Sequence, residues 1–169
     1  MPKTIFSSLL FVLLVLLVGG CDSGDPIDEP HPRDVAGLYN FTEFTFEPSG
    51  TAFQPIIVLD TLVQSETNLR LSSGGNFILS YQFINGDVFF PAGNFAVTAS
   101  TVRLNGEDTY RPQFEQLLLT DEFTLRRSVD EPGLLTASIS KTINPSEFSD
   151  RYAGVTEMSG TLKLRLVKE

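Results

Sequence analysis

The sequence predicts an all-β fold: a single antiparallel meander β-barrel of about eight strands, with one short helix before the last strand. Three observations predict it. Apolar residues alternate with polar ones along much of residues 35–169, the signature of strands with one buried face. Gly-Gly and Asn-Gly pairs punctuate those runs, and they supply the backbone angles that tight hairpins need. Open sheet edges invite aggregation, so many short antiparallel strands favour closure.

Residues 1–20 read as a leader. Lys3 and the amino terminus are positive, and Ile5 to Val18 is apolar except for Ser7 and Ser8. This stretch of about 14 residues suits a secretory signal and falls short of the roughly 20 that span a bilayer. Val18-Gly19-Gly20-Cys21 follows, and it resembles the lipobox of bacterial lipoproteins, whose cysteine is acylated and becomes the new N-terminus. The resemblance implies a lipid anchor on Cys21, the only cysteine, and a place in the cell envelope, on the periplasmic face of a membrane or at the cell surface. The alternative, an inert buried thiol, would need a folded core around a leader and a polar tail. With no second cysteine an intramolecular disulfide is impossible, so packing and hydrogen bonds must hold the fold.

Residues 21–34 form an acidic, proline-rich, flexible tether that offers little apolar surface to offset the entropy of ordering. The whole chain carries −9, and loss of Lys3 with the leader makes it −10. Five acids against Arg33 place −4 on the tether, leaving −6 for residues 35–169. That balance argues against nucleic acid and against anionic headgroups as partners.

The elements of the barrel follow in order. In "GLYNFTEFTF", Tyr39 and Phe41 share one face, and Phe44 and Phe46 the other. A bulge near Thr42 and Glu43 would turn all four inward; the alternative is a strand buried on both sides. Pro48 to Pro55 is an exposed loop. Leu69 and Leu71 precede Gly74-Gly75, and Phe77, Leu79, Tyr81 and Phe83 share a face in "NFILSYQF". Asn85-Gly86 then makes a turn. Phe95, Val97 and Ala99 form the next inward row, followed by Val102 and Leu104 before a turn at Asn105-Gly106. "RPQFEQLLLTDEF" reads as two strands meeting at Thr120-Asp121-Glu122, or as a helical turn over Phe114 to Leu119. Leu135, Ala137 and Ile139 align. The helix is expected at "NPSEFSDRYAG", where Asn144 and Glu147 suit a capping box, Pro145 the first position and Gly154 the end. Phe148 and Tyr152 would dock it. Leu162, Leu164 and Leu166 complete the ring opposite Lys163, Arg165 and Val167.

An early Gly-x-Tyr strand, a meander of hairpins, a late short helix and a basic last strand resemble the lipocalin-like barrels of bacterial lipoproteins. Gly37-Leu38-Tyr39 stands where lipocalins carry Gly-x-Trp. Thr120-Asp121 with Phe123 echoes their Thr-Asp-Tyr turn, and Arg165 is the candidate for the arginine that packs on the first motif. The chain has no tryptophan, its turn motif has one extra residue, and Arg165 alternates with inward leucines, so it could reach Tyr39 only at a barrel end.

Chemistry is sparse. His31, the only histidine, lies between two prolines in the tether, which leaves the barrel without an imidazole base or ligand. Asp87, Glu107 and Asp108 sit at turns, where solvated acids are ordinary and calcium is the sharper alternative. No catalytic site, metal site or cofactor is expected. The remaining feature is the inward set Tyr39, Phe41, Phe44, Phe46, Leu69, Leu71, Phe77, Leu79, Tyr81, Phe95 and Val97. An eight-stranded barrel is just wide enough to be filled by such side chains or to hold one small ligand. Two functions follow: a membrane-anchored module binding a small apolar or amphipathic ligand, or a solid barrel that engages a protein partner through its loops. The second is similar in outline to lipoproteins that inhibit lysozyme or proteases, and an acidic body suits a basic partner. An envelope structural protein without a discrete ligand is a third reading.

Overall fold

The computed structural model describes residues 29–50, 52–148 and 150–169. Cys21, the leader and most of the tether lie outside them. Among the described residues ten strands form: β1 (Gly37–Pro48), β2 (Ile56–Ile57), β3 (Asn68–Leu71), β4 (Asn76–Gln82), β5 (Val88–Phe89), β6 (Ala92–Val97), β7 (Thr101–Gly106), β8 (Glu122–Arg127), β9 (Leu134–Ile143) and β10 (Met158–Lys168). Eight close into an antiparallel ring in the order β1-β3-β4-β6-β7-β8-β9-β10, and β10 pairs back onto β1. The two-residue strands β2 and β5 flank β1 and β4.

The closing seam explains the odd phase of β1. Its register against β10 steps from Phe41↔Leu166 to Glu43↔Arg165, so Thr42 is the extra residue of a bulge. The Thr42 hydroxyl donates to the Arg165 carbonyl at 3.2 Å. Tyr39, Phe41, Phe44 and Phe46 consequently all point inward and are buried.

The helix lies elsewhere than the capping pattern suggests. The short α-helix, α1 (Arg111–Gln116), is in the segment whose first half also read as a strand, and only β8 follows the Thr120–Glu122 turn. Residues 144–154 instead make two single 3₁₀ turns, Pro145–Glu147 and Asp150–Tyr152. The physical reason is local. The Asn144 side chain bonds the Glu147 carboxylate (2.8 Å) and the Ser146 hydroxyl (2.7 Å) rather than capping backbone N–H groups. The turns bring buried Tyr152 to the Gln54 carbonyl, to which its hydroxyl donates at 3.0 Å.

Asn105-Gly106 is not a turn either. Gly106 ends β7, opposite Gly93 of β6, and a Cβ there would lie 2.4 Å from Phe114 Cε2. Its bare backbone admits the Phe114 ring, which is fully buried and meets Phe77 and Phe123 edge-on at 6.2 and 6.4 Å. The helix thus plugs the barrel end. Gly75 (φ 83°) and Asn85 (φ 61°) do occupy the left-handed region in turns.

The two ends of the barrel differ. At one, strands are joined by short connections over residues 72–75, 98–100 and 128–133, and the chain enters from the tether through a turn at Pro32–Asp34. At the other, the connections are long: 49–67, 83–91, 107–121 and 144–157. The first is the tether end and the second the far end.

Candidate functional site

The aromatic set of the sequence lies in the barrel interior. Tyr39, Phe44, Phe46, Phe77, Tyr81 and Phe114 are each no more than 2 % exposed. A void large enough for water would leave its lining partly exposed, so these side chains pack against one another. Phe41 stacks on Phe44 with centroids 5.4 Å apart. Leu69, Leu71, Leu79 and Phe95 are buried with them. Val97 is only half-buried, since it ends β6 at the tether-end rim. Both interior phenols have partners: Tyr39 donates to the Val35 carbonyl at 2.8 Å and Tyr81 to the Gln113 carbonyl at 2.9 Å. Burial raises both pKa values above the ordinary tyrosine value, with Arg127 partly opposing it at Tyr39.

The motif positions scatter. Gly37 and Tyr39 start β1 at the tether end, whereas Thr120 and Asp121 precede β8 at the far end. Asp121 pairs with Arg111 at 2.8 Å. Arg165 does not sit opposite Tyr39: it lies opposite Glu43 and its guanidinium pairs with Glu131 at 3.2 Å. Lys168 is opposite Tyr39 in register, and the arginine whose charge acts on that phenol is Arg127, from the end of β8. Which arginine approaches Tyr39 depends on strand register, which composition does not reveal.

At the tether end a cleft of about 460 Å³ opens over Tyr39, Val35, Leu134 and Leu135, beside Arg127, Lys168 and Asp34. Exposed His31 is nearby in sequence, and its backbone N–H donates to the Asp34 carboxylate at 2.8 Å.

At the far end, a groove of about 490 Å³ is built by all four long connections: Leu62 from the first, Phe83 from the second, Pro112, Glu115 and Gln116 from the third, Glu147 and Phe148 from the fourth. Backbone contacts fix its walls. Val63 bridges to Phe83, and Ile84 N–H donates to the Leu62 carbonyl at 3.1 Å. Phe83 meets Tyr81 and Phe89 edge-on, at 5.4 and 5.7 Å, so its wall rests on the barrel core. Beneath α1, the ammonium of Lys141 turns inward and donates to the carbonyls of Leu118 (2.9 Å) and Leu119 (3.3 Å). Its desolvation lowers its pKa, and the Glu115 charge opposes that.

The far end is also strongly acidic. Its connections carry Asp60 and Glu66; Asp87; Glu107, Asp108, Glu115 and Asp121; and Glu147, Asp150 and Glu157. The cations on those connections are Arg111 and Arg151, and Lys141 reaches the same end from β9. Phe53, Ile57, Ile84, Val88 and Phe90 are exposed on the same connections, Phe90 by 59 %. Asp87, Glu107 and Asp108 look like ordinary turn acids in the sequence; only the topology brings them to one end of the barrel. Among the described residues, no three His, Cys, Asp or Glu side chains come together to hold a metal ion.

Compared with protein-family models the chain matches none, and no curated protein is significantly similar to it.

Proposed function

We propose that this protein is a lipid-anchored, extracytoplasmic interaction module that binds a protein partner through the far end of a solid barrel. The anchor is the lipobox cysteine, Cys21, and the role is binding, without a cofactor and without nucleic acid. The observation that carries the reading is the asymmetry of the barrel. The tether joins at the short-turn end, where Val129 is exposed singly, while all four long connections lie opposite, each carrying acids and the first two carrying the exposed apolar residues. Long loops on a rigid scaffold are where binding residues concentrate, and exposed apolar groups rimmed by charge are typical of interaction surfaces. The filled interior supports the same reading, because it leaves little room for cargo. An inhibitor of a basic enzyme, of the lysozyme- or protease-inhibitor type, is one form such a module takes.

The test is site-specific photocrosslinking in the native host with the full chain. A crosslinker at Ile84 or Ser146 should yield one discrete protein adduct, and the same group at Ser73 or Ser100 of the tether end should not. Equal adducts from both ends, or none from the far end, would end this reading.

A second reading has its own observation. The tether-end cleft combines an apolar floor with Arg127 and Lys168, which suits a small amphipathic ligand with an anionic head. Native mass spectrometry of the gently purified chain should then show a reproducible added mass, lost in Arg127→Gln. A bare mass on repetition excludes it.

A further inference from the structure

We infer that the far-end groove receives an extended basic segment of the partner, an apolar side chain seated between lysines or arginines. The inference rests on the reading of the far end as a binding face and adds the chemistry of what it holds. Three observations carry it. The groove has an apolar part to its lining, supplied by Leu62, Phe83, Pro112 and Phe148. Two exposed residues, Glu115 on α1 and Glu147 on the 144–157 connection, add carboxylates to the same lining. The near cation, Lys141, is already committed to the Leu118 and Leu119 carbonyls beneath the helix, so it does not offer itself to the groove.

Charge complementarity chooses the occupant. An acidic peptide entering here would meet Glu115 and Glu147 within a face whose connections carry ten acids against two arginines, by the residues named above. A purely apolar chain would leave both carboxylates beside hydrocarbon, where desolvation disfavours charge. A segment with cations flanking an apolar residue satisfies both, covering the apolar part while its charges stay in water. The volume is within the range of sites that hold small ligands or a few side chains, about 300–1,000 Å³.

The experiment titrates the full chain with end-blocked, fluorescently labelled Lys-Leu-Lys-Leu-Lys, and reads polarisation and backbone amide shifts. The expected result is saturable binding that shifts the amides of Leu62, Phe83 and Phe148 and weakens as salt is raised. Glu115→Gln with Glu147→Gln should lower affinity about five- to tenfold, as two partly exposed charge contacts are worth. Both side chains are exposed, and glutamine at 147 can still accept the Asn144 bond, so the variant should fold. Glu-Leu-Glu-Leu-Glu and Lys-Gly-Lys-Gly-Lys should both bind far more weakly. Unchanged affinity in the double variant, or amide shifts confined to other surfaces, overturns the inference. If no peptide binds while the far-end crosslinks persist, the groove is not the seat of recognition although the interaction module stands. If the crosslinks fail as well, both fall.

Discussion

Replacing Phe77 by alanine should cost about 3–5 kcal/mol of stability, measured as a lower urea midpoint at unchanged slope. Phe77 is 1 % exposed, opposes Leu71 and Gly93 across its two neighbouring strands, and meets the Phe114 ring edge-on. Truncation removes the transfer free energy of the ring and leaves a cavity whose walls are strands hydrogen-bonded on both sides. Such walls relax little, which puts the expected cost at the upper end of large-to-small substitutions. Against a typical domain stability of about 5–15 kcal/mol this is a large fraction. The number also separates functions. In a barrel built around a ligand space, one ring of the lining borders a void and its loss is cheap. A cost below about 1 kcal/mol with native circular dichroism would therefore restore the hollow barrel, and with it a binding site in the interior.

How much of this was legible beforehand depends on the range of the interactions involved. Alternation is local, so most of the inward residues could be read from residue pairs two apart. Ala99, exposed in the 98–100 connection, and Phe83, which lines the groove beyond β4, are exceptions because the strands end before them. The position of the β1 bulge was legible for the same local reason, because Phe41 and Phe44 break phase at one place. The register against β10 decides for an extra residue there over a strand buried on both sides. The far end was not legible, because its structure follows from contacts distant in sequence. Gly106 looks like half of a hairpin turn until a ring at position 114 occupies the space above it. The end of α1 carries no helix-stop signal: the residue in left-handed geometry is Leu118, not glycine or asparagine, and it is buried in the core. The groove is assembled from residues as far apart as Leu62 and Phe148, so no window of sequence contains it. The acids were visible throughout. Only the topology places most of them at one end of the barrel.

The dependence of the far end on one bare backbone position gives a second large effect. Gly106→Ala should destabilise the protein by about 1–3 kcal/mol, the usual cost of overpacking, because the new Cβ would lie 2.4 and 2.9 Å from Phe114 Cε2 and Cζ. Phe114→Leu alone should also destabilise, by emptying part of the space between Phe77 and Phe123. The two together should cost less than their sum, by about 1 kcal/mol or more, since leucine lacks the two ring atoms that the new methyl would strike. Some cost persists in the double variant, because the Asp121 carbonyl stands 3.2 Å from the same Cβ. Gly93 supplies the control. A Cβ there would lie 2.2 Å from the Asn105 carbonyl and 2.7 Å from Gly106 Cα, both backbone atoms that no change at 114 can move away. Gly93→Ala and Phe114→Leu should therefore be closer to additive. Urea unfolding of the two cycles reads the difference. If Gly106→Ala and Phe114→Leu were simply additive, the ring would not rest on β7 and α1 would be a loosely attached lid. Coupling means that the helix carrying Glu115 is locked to the sheet, and that the groove it helps to form is a fixed feature of the barrel.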